Sequence, residues 1–118
     1  MTNARIMLSL AAIALVVAIG AASAAARPKP PVKVVVIEYE FGFRLSRQTV
    51  PAGRVTFVMR NVGALIHNFD LIGVKEGPFL VPGQSATMST TLKRGEYIYV
   101  CSVKYHAAQG MQGTLYVQ

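Results

Sequence analysis

The sequence predicts an all-β domain, a Greek-key β-sandwich or barrel, preceded by an N-terminal signal or anchor helix. Segments in which apolar and polar residues alternate, the pattern of half-buried strands, recur from residue 33 onwards. Turn-forming glycine and proline residues separate these segments about every 8–12 residues, which gives about seven short strands. Outside the N-terminal segment the sequence contains no apolar helical period of useful length. Together these observations favour packed sheets over a helical fold.

The N-terminal segment, residues 1–26, is typical of a secretory signal. Arg5 gives it a positive start, residues 6–26 carry no charge, and the small residues up to Ala26 suit a signal peptidase. An uncleaved anchor is the alternative, because an uncharged run of this length is just able to span a bilayer. We favour cleavage, since the second half of the run is rich in alanine and only weakly apolar. The sequence therefore predicts a periplasmic or other extracytoplasmic location, with membrane attachment only if the segment is retained.

Two further segments follow the signal. Residues 27–32 form a proline-rich linker, which should be extended and semi-rigid. Residues 33–118 form the folded domain, because a chain of 118 residues is long enough for one domain and no more. A single core is feasible at this size without disulfides.

Within this domain each strand has its own signal. The clearest strand spans residues 54–60, where Val55, Phe57 and Met59 form one apolar face. Repeated glycine and proline make residues 73–85 a loop. The predicted strands are 35–41, 43–50, 54–60, 67–72, 86–92, 96–101 and 113–117. The second of these has the weakest pattern.

The charge of the chain is basic. Lys and Arg number 12 and Asp and Glu number 5, which gives a formal net charge of +7. The basic residues are dispersed, and an exported protein does not meet genomic DNA, so we do not expect nucleic-acid binding. A basic surface is ordinary for a soluble protein, and it also suits an acidic redox partner or an anionic membrane face.

The only cysteine and both histidines of the chain can belong to one site. Cys101, His106 and Met111 follow one another at equal spacing near the C-terminus, and His67 lies at the start of another predicted strand. Each residue alone has an ordinary interpretation, as a buried thiol, a hydrogen-bonded imidazole or a core methionine. In an oxidising compartment, however, a single cysteine has no disulfide partner within the chain, and a bound metal would explain its presence.

The chemistry of these four side chains favours copper. One Cys, two His and a nearby Met are the ligands of a mononuclear blue-copper site that transfers electrons. Zinc competes, because Cys and two His bind it tetrahedrally. Copper binds more tightly than zinc in the usual affinity order, and a methionine favours copper further. The sequence therefore predicts one copper ion, Cu(I) or Cu(II), as the cofactor.

Short motifs surround the four candidate ligands. They are Asn61-Val62-Gly63 with His67-Asn68, Val81-Pro82-Gly83-Gln84, Gly95 to Cys101, and His106 with Gly110 to Leu115. With these motifs the chain resembles the cupredoxin family, small type 1 blue-copper proteins of the plastocyanin, pseudoazurin and azurin class. The resemblance covers roughly residues 33–118 and is most specific in the segment from Cys101 to Leu115. It implies that His67, Cys101 and His106 are equatorial copper ligands. Met111 is then the long axial ligand.

The resemblance also implies roles for residues beside the ligands. Asn68 ties the two ligand-bearing loops together, and the Ser102 hydroxyl or backbone helps to hold that contact; such bonds orient ligands and tune the metal. Electrons pass through the exposed edge of His106, inside a small apolar patch. The patch consists of Ala64, Leu65, Ala107 and Ala108. One departure is Lys104-Tyr105, where many relatives carry Pro-Gly, and it affects the rigidity and partner-facing surface of the loop.

We expect an electron carrier that moves single electrons between larger redox proteins of the cytochrome, oxidase or reductase type. A copper-handling module that delivers or scavenges the metal is the alternative. An enzyme is not expected, because multicopper oxidases and copper nitrite reductases need further histidines, often beside the cysteine. Here Val100 and Ser102 flank Cys101. A metal-free adhesion module would leave the spacing of Cys, His and Met unexplained.

Overall fold

The computed structural model of the protein describes residue 17 and residues 19–118. The predicted signal or anchor helix, residues 1–26, therefore lies largely outside the described residues. Residues 19–31 are exposed and have no regular secondary structure. No helix in the described part of the chain is both long enough and apolar enough to cross a membrane.

Two four-stranded sheets make up the described domain, which confirms the predicted all-β fold. In chain order the strands are β1 (Val32–Tyr39), β2 (Gly42–Leu45), β3 (Thr49–Val50), β4 (Gly53–Asn61), β5 (Asp70–Leu71), β6 (Ser85–Leu92), β7 (Gly95–Val100) and β8 (Gln112–Val117). The first sheet has the order β2-β1-β4-β6 and the second has the order β3-β8-β7-β5. Both sheets are mixed, because β1 runs parallel to β4 and β3 runs parallel to β8. A short 3₁₀ helix, Ala107–Gln109, precedes β8.

The alternation along the long strands explains how the two sheets pack. Val55, Phe57 and Met59 on β4 are fully buried, as the sequence predicts. Arg54 and Arg60 on the same strand are exposed. Full burial of an apolar side chain of this size stabilises the fold by about 1.5–3 kcal/mol. One apolar core between the sheets therefore holds the sandwich together.

The predicted strand at 43–50 is wrong as a single strand. It consists of β2 and β3, which belong to different sheets. Between them, Ser46 Oγ accepts a hydrogen bond from Val35 N at 2.8 Å, and Gln48 Nε2 donates to the Tyr99 hydroxyl at 2.9 Å. These side-chain bonds hold the chain where it passes from one sheet to the other. The alternation of apolar and polar residues does not predict these two hydrogen bonds.

The predicted strand at 67–72 is shorter in the structure. Only β5, Asp70–Leu71, pairs with a neighbouring strand there. His67 instead forms an isolated bridge with Leu80, in which the two N–O distances are 3.1 and 2.8 Å. Part of the predicted loop at 73–85 therefore folds back along His67 and fixes its backbone.

The directions of the strands bring several loops to one end of the sandwich. In the first sheet Glu38 pairs with Asn61 where β1 and β4 both end. In the second sheet Val100 at the end of β7 pairs with Gln112 at the start of β8. Three segments near these strand ends contact one another through their side chains. They are residues 40–41, 62–69 and 101–111, and together they form the loop end.

Candidate metal centre

Three side chains, those of His67, Cys101 and His106, meet at the loop end. The Nδ1 atoms of the two histidines lie 3.2 Å apart. The Sγ atom of Cys101 lies 4.0 Å from Nδ1 of His67 and 3.6 Å from Nδ1 of His106. The exposed fractions of the three residues are 0%, 1% and 7% in chain order. The structure thus brings together the three residues that the sequence predicts as equatorial ligands.

This arrangement fits one metal ion. Metal–nitrogen and metal–sulfur bonds of about 2.0–2.3 Å require donors that are separated by about 3–4 Å, and the observed separations lie in this range. Among the described hydrogen bonds, the Nδ1 atoms of His67 and His106 face only each other and Cys101 Sγ. One thiolate and two imidazoles suit copper in a type 1 site.

Met111 is fully buried and is bonded through its backbone to two of these residues. Cys101 N donates a hydrogen bond to Met111 O at 3.0 Å, and Met111 N donates to His106 O at 3.1 Å. Gly110 precedes it with a φ of 112°, a left-handed conformation that glycine adopts readily. The backbone of Met111 is therefore tied to that of Cys101 and of His106, and its side chain remains the predicted fourth ligand.

The loop between Cys101 and His106 is ordered without a Pro-Gly pair. His106 N donates to Val103 O at 3.0 Å, which closes a turn. Tyr105 has a φ of 71°, a conformation that is uncommon for residues other than glycine. The Nζ atom of Lys104 lies 4.9 Å from the centre of the Tyr105 ring. Lys104 and Tyr105 thus lie on the outer surface of the loop, and His67, Cys101 and His106 still meet beneath it.

Asn68 and Ser102 form the predicted contact between the two ligand-bearing loops. Ser102 N donates to Asn68 Oδ1 at 2.8 Å, and Asn68 Nδ2 donates to Ser102 Oγ at 2.9 Å. Because Asn68 follows His67 and Ser102 follows Cys101, these bonds fix the separation of the two predicted ligands.

Asp70 extends this contact, and sequence analysis missed it. Its Oδ1 atom accepts hydrogen bonds from Asn68 Nδ2 and from Gly77 N, both at 2.9 Å. The carboxylate can only accept, so it sets which way the Asn68 amide points. A β-carbon at Gly77 would collide with the carbonyl of Phe69, so glycine is needed for this approach.

Glu40 is the second residue that sequence analysis missed. Its Oε1 atom accepts hydrogen bonds from Leu65 N at 2.7 Å, from His67 Nε2 at 2.8 Å and from Ala64 N at 2.9 Å. The Leu65 bond, followed by those of His67 and Ala64, holds the pKa of Glu40 below its usual value. In the sequence Glu40 alternates with Tyr39 and Phe41 like any outward strand residue, and nothing in that pattern links it to His67.

Phe41, the next residue, packs against the other histidine. Its ring meets the His106 ring edge-on, with centroids 5.0 Å apart and planes at 70°. The turn between β1 and β2 therefore contacts both histidines through consecutive residues.

Burial controls the protonation of the donors. It raises the pKa of the Cys101 thiol, so in the absence of metal the sulfur keeps its proton at neutral pH. Burial also lowers the pKa of His106, and the neighbouring His67 lowers it further, so this imidazole is neutral and able to bind a metal. Metal binding must therefore release the thiol proton.

The residues predicted to form an apolar patch around His106 are largely exposed. Ala64, Leu65 and Ala108 are exposed, and Ala107 is half-buried. Tyr105, with 67% of its surface exposed, lies beside them in sequence. Only a small edge of His106 itself reaches solvent.

Comparisons with known proteins agree with this fold. A sequence profile of the family described as the cupredoxin-like domain matches residues 9–117. The auracyanin of Roseiflexus castenholzii has 21% sequence identity and a TM-score of 0.63, over 78% of this chain and 99% of that chain. Auracyanin A of Chloroflexus aurantiacus, described as a "blue" copper protein, has 23% identity and a TM-score of 0.63, over 75% of this chain and 100% of that chain.

A chain in the structure of a heme-copper terminal oxidase dimer is also similar. It has 20% identity and a TM-score of 0.58, over 73% of this chain and 63% of that chain. At these identities the likeness concerns the fold. No curated protein sequence matches the chain.

Proposed function

The chain belongs to the cupredoxin family, and on this basis we propose that it carries single electrons between larger redox proteins by means of one bound copper ion. One observation carries the proposal, the buried group of two imidazole nitrogens and one sulfur with separations of 3.2, 3.6 and 4.0 Å. A group of this kind suits a single ion, and its three members are all buried.

The four proposed ligands differ in strength. Cys101 and the Nδ1 atoms of His67 and His106 are the strong donors, and the Met111 thioether is the weak fourth donor. When bound, copper takes up and gives back one electron by alternating between Cu(II) and Cu(I). A mixture of sulfur and nitrogen donors is acceptable to both states, so the protein need not rearrange when the electron arrives.

The protein holds these donors rigidly. The backbone of His67 is fixed by its bridge to Leu80, and the Asn68–Ser102 contact joins the two ligand-bearing loops. Cys101 directly follows β7, whose ladder with β8 continues up to Val100. Donors held in this way keep their positions in both oxidation states, which favours fast electron transfer.

Catalysis is not part of the proposed function. A catalytic metal site keeps one coordination position open for substrate or water. Here the cluster of two imidazole nitrogens and one sulfur, with the Met111 thioether as the proposed fourth donor, would leave no such position open. The chain has 2 histidines in all, so none is left for a second copper site of the oxidase type.

We propose that electrons enter and leave through His106, because 7% of its surface is exposed whereas His67 is at 0%. The apolar residues around it, including Leu65 and Tyr105, suit brief docking to a partner. The net charge of +7 favours a partner with an acidic surface, either a cytochrome or a redox enzyme of the oxidase or reductase type. The signal-like segment supports a periplasmic or other extracytoplasmic location for this exchange.

A visible spectrum of the copper-loaded protein tests the proposed function. We expect strong absorption in the orange-red from sulfur-to-copper charge transfer, and Cys101→Ser should abolish it. Glu96→Gln is a control, because it changes an exposed side chain at the far end of β7 and keeps the thiolate. A copper-loaded protein without this band would refute the proposal.

Stopped-flow reduction by a cytochrome separates the electron carrier from a copper-handling module. A carrier exchanges electrons with the cytochrome faster than it loses copper to a chelator. A protein that releases its metal faster than it accepts an electron would instead be a copper-delivery module.

A further inference from the structure

The turn between β1 and β2 reaches into the metal centre from a distant part of the sequence. Glu40 lies in this turn, and its Oε1 atom accepts three hydrogen bonds, from Ala64 N, Leu65 N and His67 Nε2, at 2.7–2.9 Å. Three donors on one oxygen are more than a chance surface contact provides. The carboxylate is therefore built into the segment that leads to His67.

The neighbouring backbone is shaped around this carboxylate. A β-carbon at Gly63 would collide with both carboxylate oxygens of Glu40. Asn61 Oδ1 accepts a hydrogen bond from Gly63 N at 2.8 Å, which holds that backbone in place. Any larger residue at position 63 would displace Glu40 from Ala64, Leu65 and the histidine.

The contact with Glu40 determines where His67 carries its proton. An ionised carboxylate only accepts hydrogen bonds, so Nε2 of His67 must be the protonated nitrogen. The lone pair of the neutral ring is then on Nδ1, the atom that lies 4.0 Å from Cys101 Sγ and 3.2 Å from Nδ1 of His106. This is the tautomer that can bind the ion.

The structure assigns to Glu40 the role of a positioning residue, which keeps His67 in the metal-binding tautomer and whose negative charge lowers the reduction potential of the bound copper. This inference rests on the proposed function. A ligand whose second nitrogen donates to a carboxylate is a more basic donor, and removal of such a partner typically lowers metal affinity 10–100-fold. The negative charge also favours Cu(II), which carries the higher positive charge, over Cu(I).

Glu40→Gln separates charge from geometry. The Gln oxygen can still accept the three hydrogen bonds, while the negative charge is lost. We expect the blue band to persist and the ratio of Cu(II) to Cu(I) affinity to fall about tenfold, which corresponds to a rise in reduction potential of about 59 mV.

Glu40→Ala removes the acceptor as well. In this variant we expect copper affinity to fall by about 10–100-fold. In the copper-free full-length protein, ¹⁵N NMR should show His67 protonated on Nε2 in the wild type and in Glu40→Gln, and a mixture of tautomers in Glu40→Ala. The NMR measurement does not depend on copper or on electron transfer.

Glu96→Gln is the matched control. It removes the same charge from an exposed residue at the opposite end of β7 from Cys101. At about 3.3 Å per residue, Glu96 is farther from Cys101 than the screening length of about 10 Å, so its loss should leave the potential unchanged.

Two results would overturn the inference. The first is a potential that shifts no more in Glu40→Gln than in Glu96→Gln, and the second is a wild-type His67 protonated on Nδ1. Failure of the proposed function has a different signature, since the wild type itself would then lack the blue band. A blue wild type with unchanged potentials in the variants refutes the role of Glu40 alone.

Discussion

The body of the sandwich and its loop end bury side chains of opposite character. The body is filled by apolar residues at alternating strand positions, such as Val34 on β1 and Phe57 on β4. The loop end buries His67, Asn68 and His106, whose polar atoms contact one another or their neighbours. An apolar core depends on volume, so its residues tolerate replacement by others of similar size. The loop end depends on particular atoms at particular distances, and there even an isosteric change has consequences.

Strand β1 passes through both regions and shows where the apolar core ends. Val34 and Val36 lie in the apolar core, and Glu38 follows them on the same inward face. Both carboxylate oxygens of Glu38 are buried and have no hydrogen-bond partner among residues 19–118. Two residues later, Glu40 has three donors on one oxygen. The contrast indicates that burial of Glu38 opposes its ionisation, whereas the contacts of Glu40 favour it.

The largest effect on stability is expected in the body. Phe57→Ala removes a fully buried ring and should lower the free energy of unfolding by about 3–5 kcal/mol. Urea unfolding measures this loss, and the fraction that remains folded should keep its blue band. Loss of the band from folded protein would show that the two regions are not separable.

Glu38→Gln tests the boundary between the regions. Burial raises the pKa of Glu38 from 4.5 to about 7, so the folded state holds a proton that the unfolded state releases between these values. As pH rises from about 4.5 to about 7, the wild type should lose about 3 kcal/mol of stability from this group, and no more above that range. Urea unfolding at pH 5 and pH 8 should show that Glu38→Gln lacks this loss and is the more stable protein at pH 8. An equal pH dependence in the two proteins would contradict the burial of an unpaired carboxyl.

A smaller loss of stability is expected from Asn68→Ala at the loop end. This change leaves Ser102 N without its partner and Asp70 Oδ1 with Gly77 N alone, and it should lower the free energy of unfolding by about 1–3 kcal/mol. Unlike Phe57→Ala, it should also shift the blue band and weaken copper binding, because it releases the loop that carries Cys101. A spectrum identical to that of the wild type would mean that the contact has no part in holding the ligands.

Met111→Leu is expected to have the smallest effect on stability. The two side chains have similar volume, so stability should change by less than about 1.5 kcal/mol. The colour should remain, since the thiolate is kept, and the potential should rise, because a weak donor to the oxidised metal is lost. Cyclic voltammetry measures this shift, and a lower potential would contradict ligation by Met111.

The sequence predicts the body of the fold well because periodic patterns report which face of a strand is buried. The strand at 54–60 and its apolar face are found in the structure as expected. Prediction fails at 43–50, where bonds made by Ser46 and Gln48 carry the chain between sheets. Bonds of this kind depend on residues that are distant in sequence, and no local pattern contains them.

The site, too, is only partly predictable from the sequence. His67, Cys101 and His106 are predictable because their chemistry is distinctive and few residues of these types occur in the chain. Glu40 and Asp70 are not, since carboxylates are common on surfaces and each acquires its role only when folding brings it beside His67 or Asn68. Glu38 likewise sits in an ordinary alternating strand, and only the structure shows that its face is the buried one.

X-ray absorption at the copper edge tests the central claim most directly. For the oxidised copper-loaded protein we predict one sulfur and two nitrogen neighbours at bonding distance, with the sulfur absent in Cys101→Ser. A copper ion surrounded only by nitrogen and oxygen in the wild type would contradict the assignment of Cys101, His67 and His106 as its ligands.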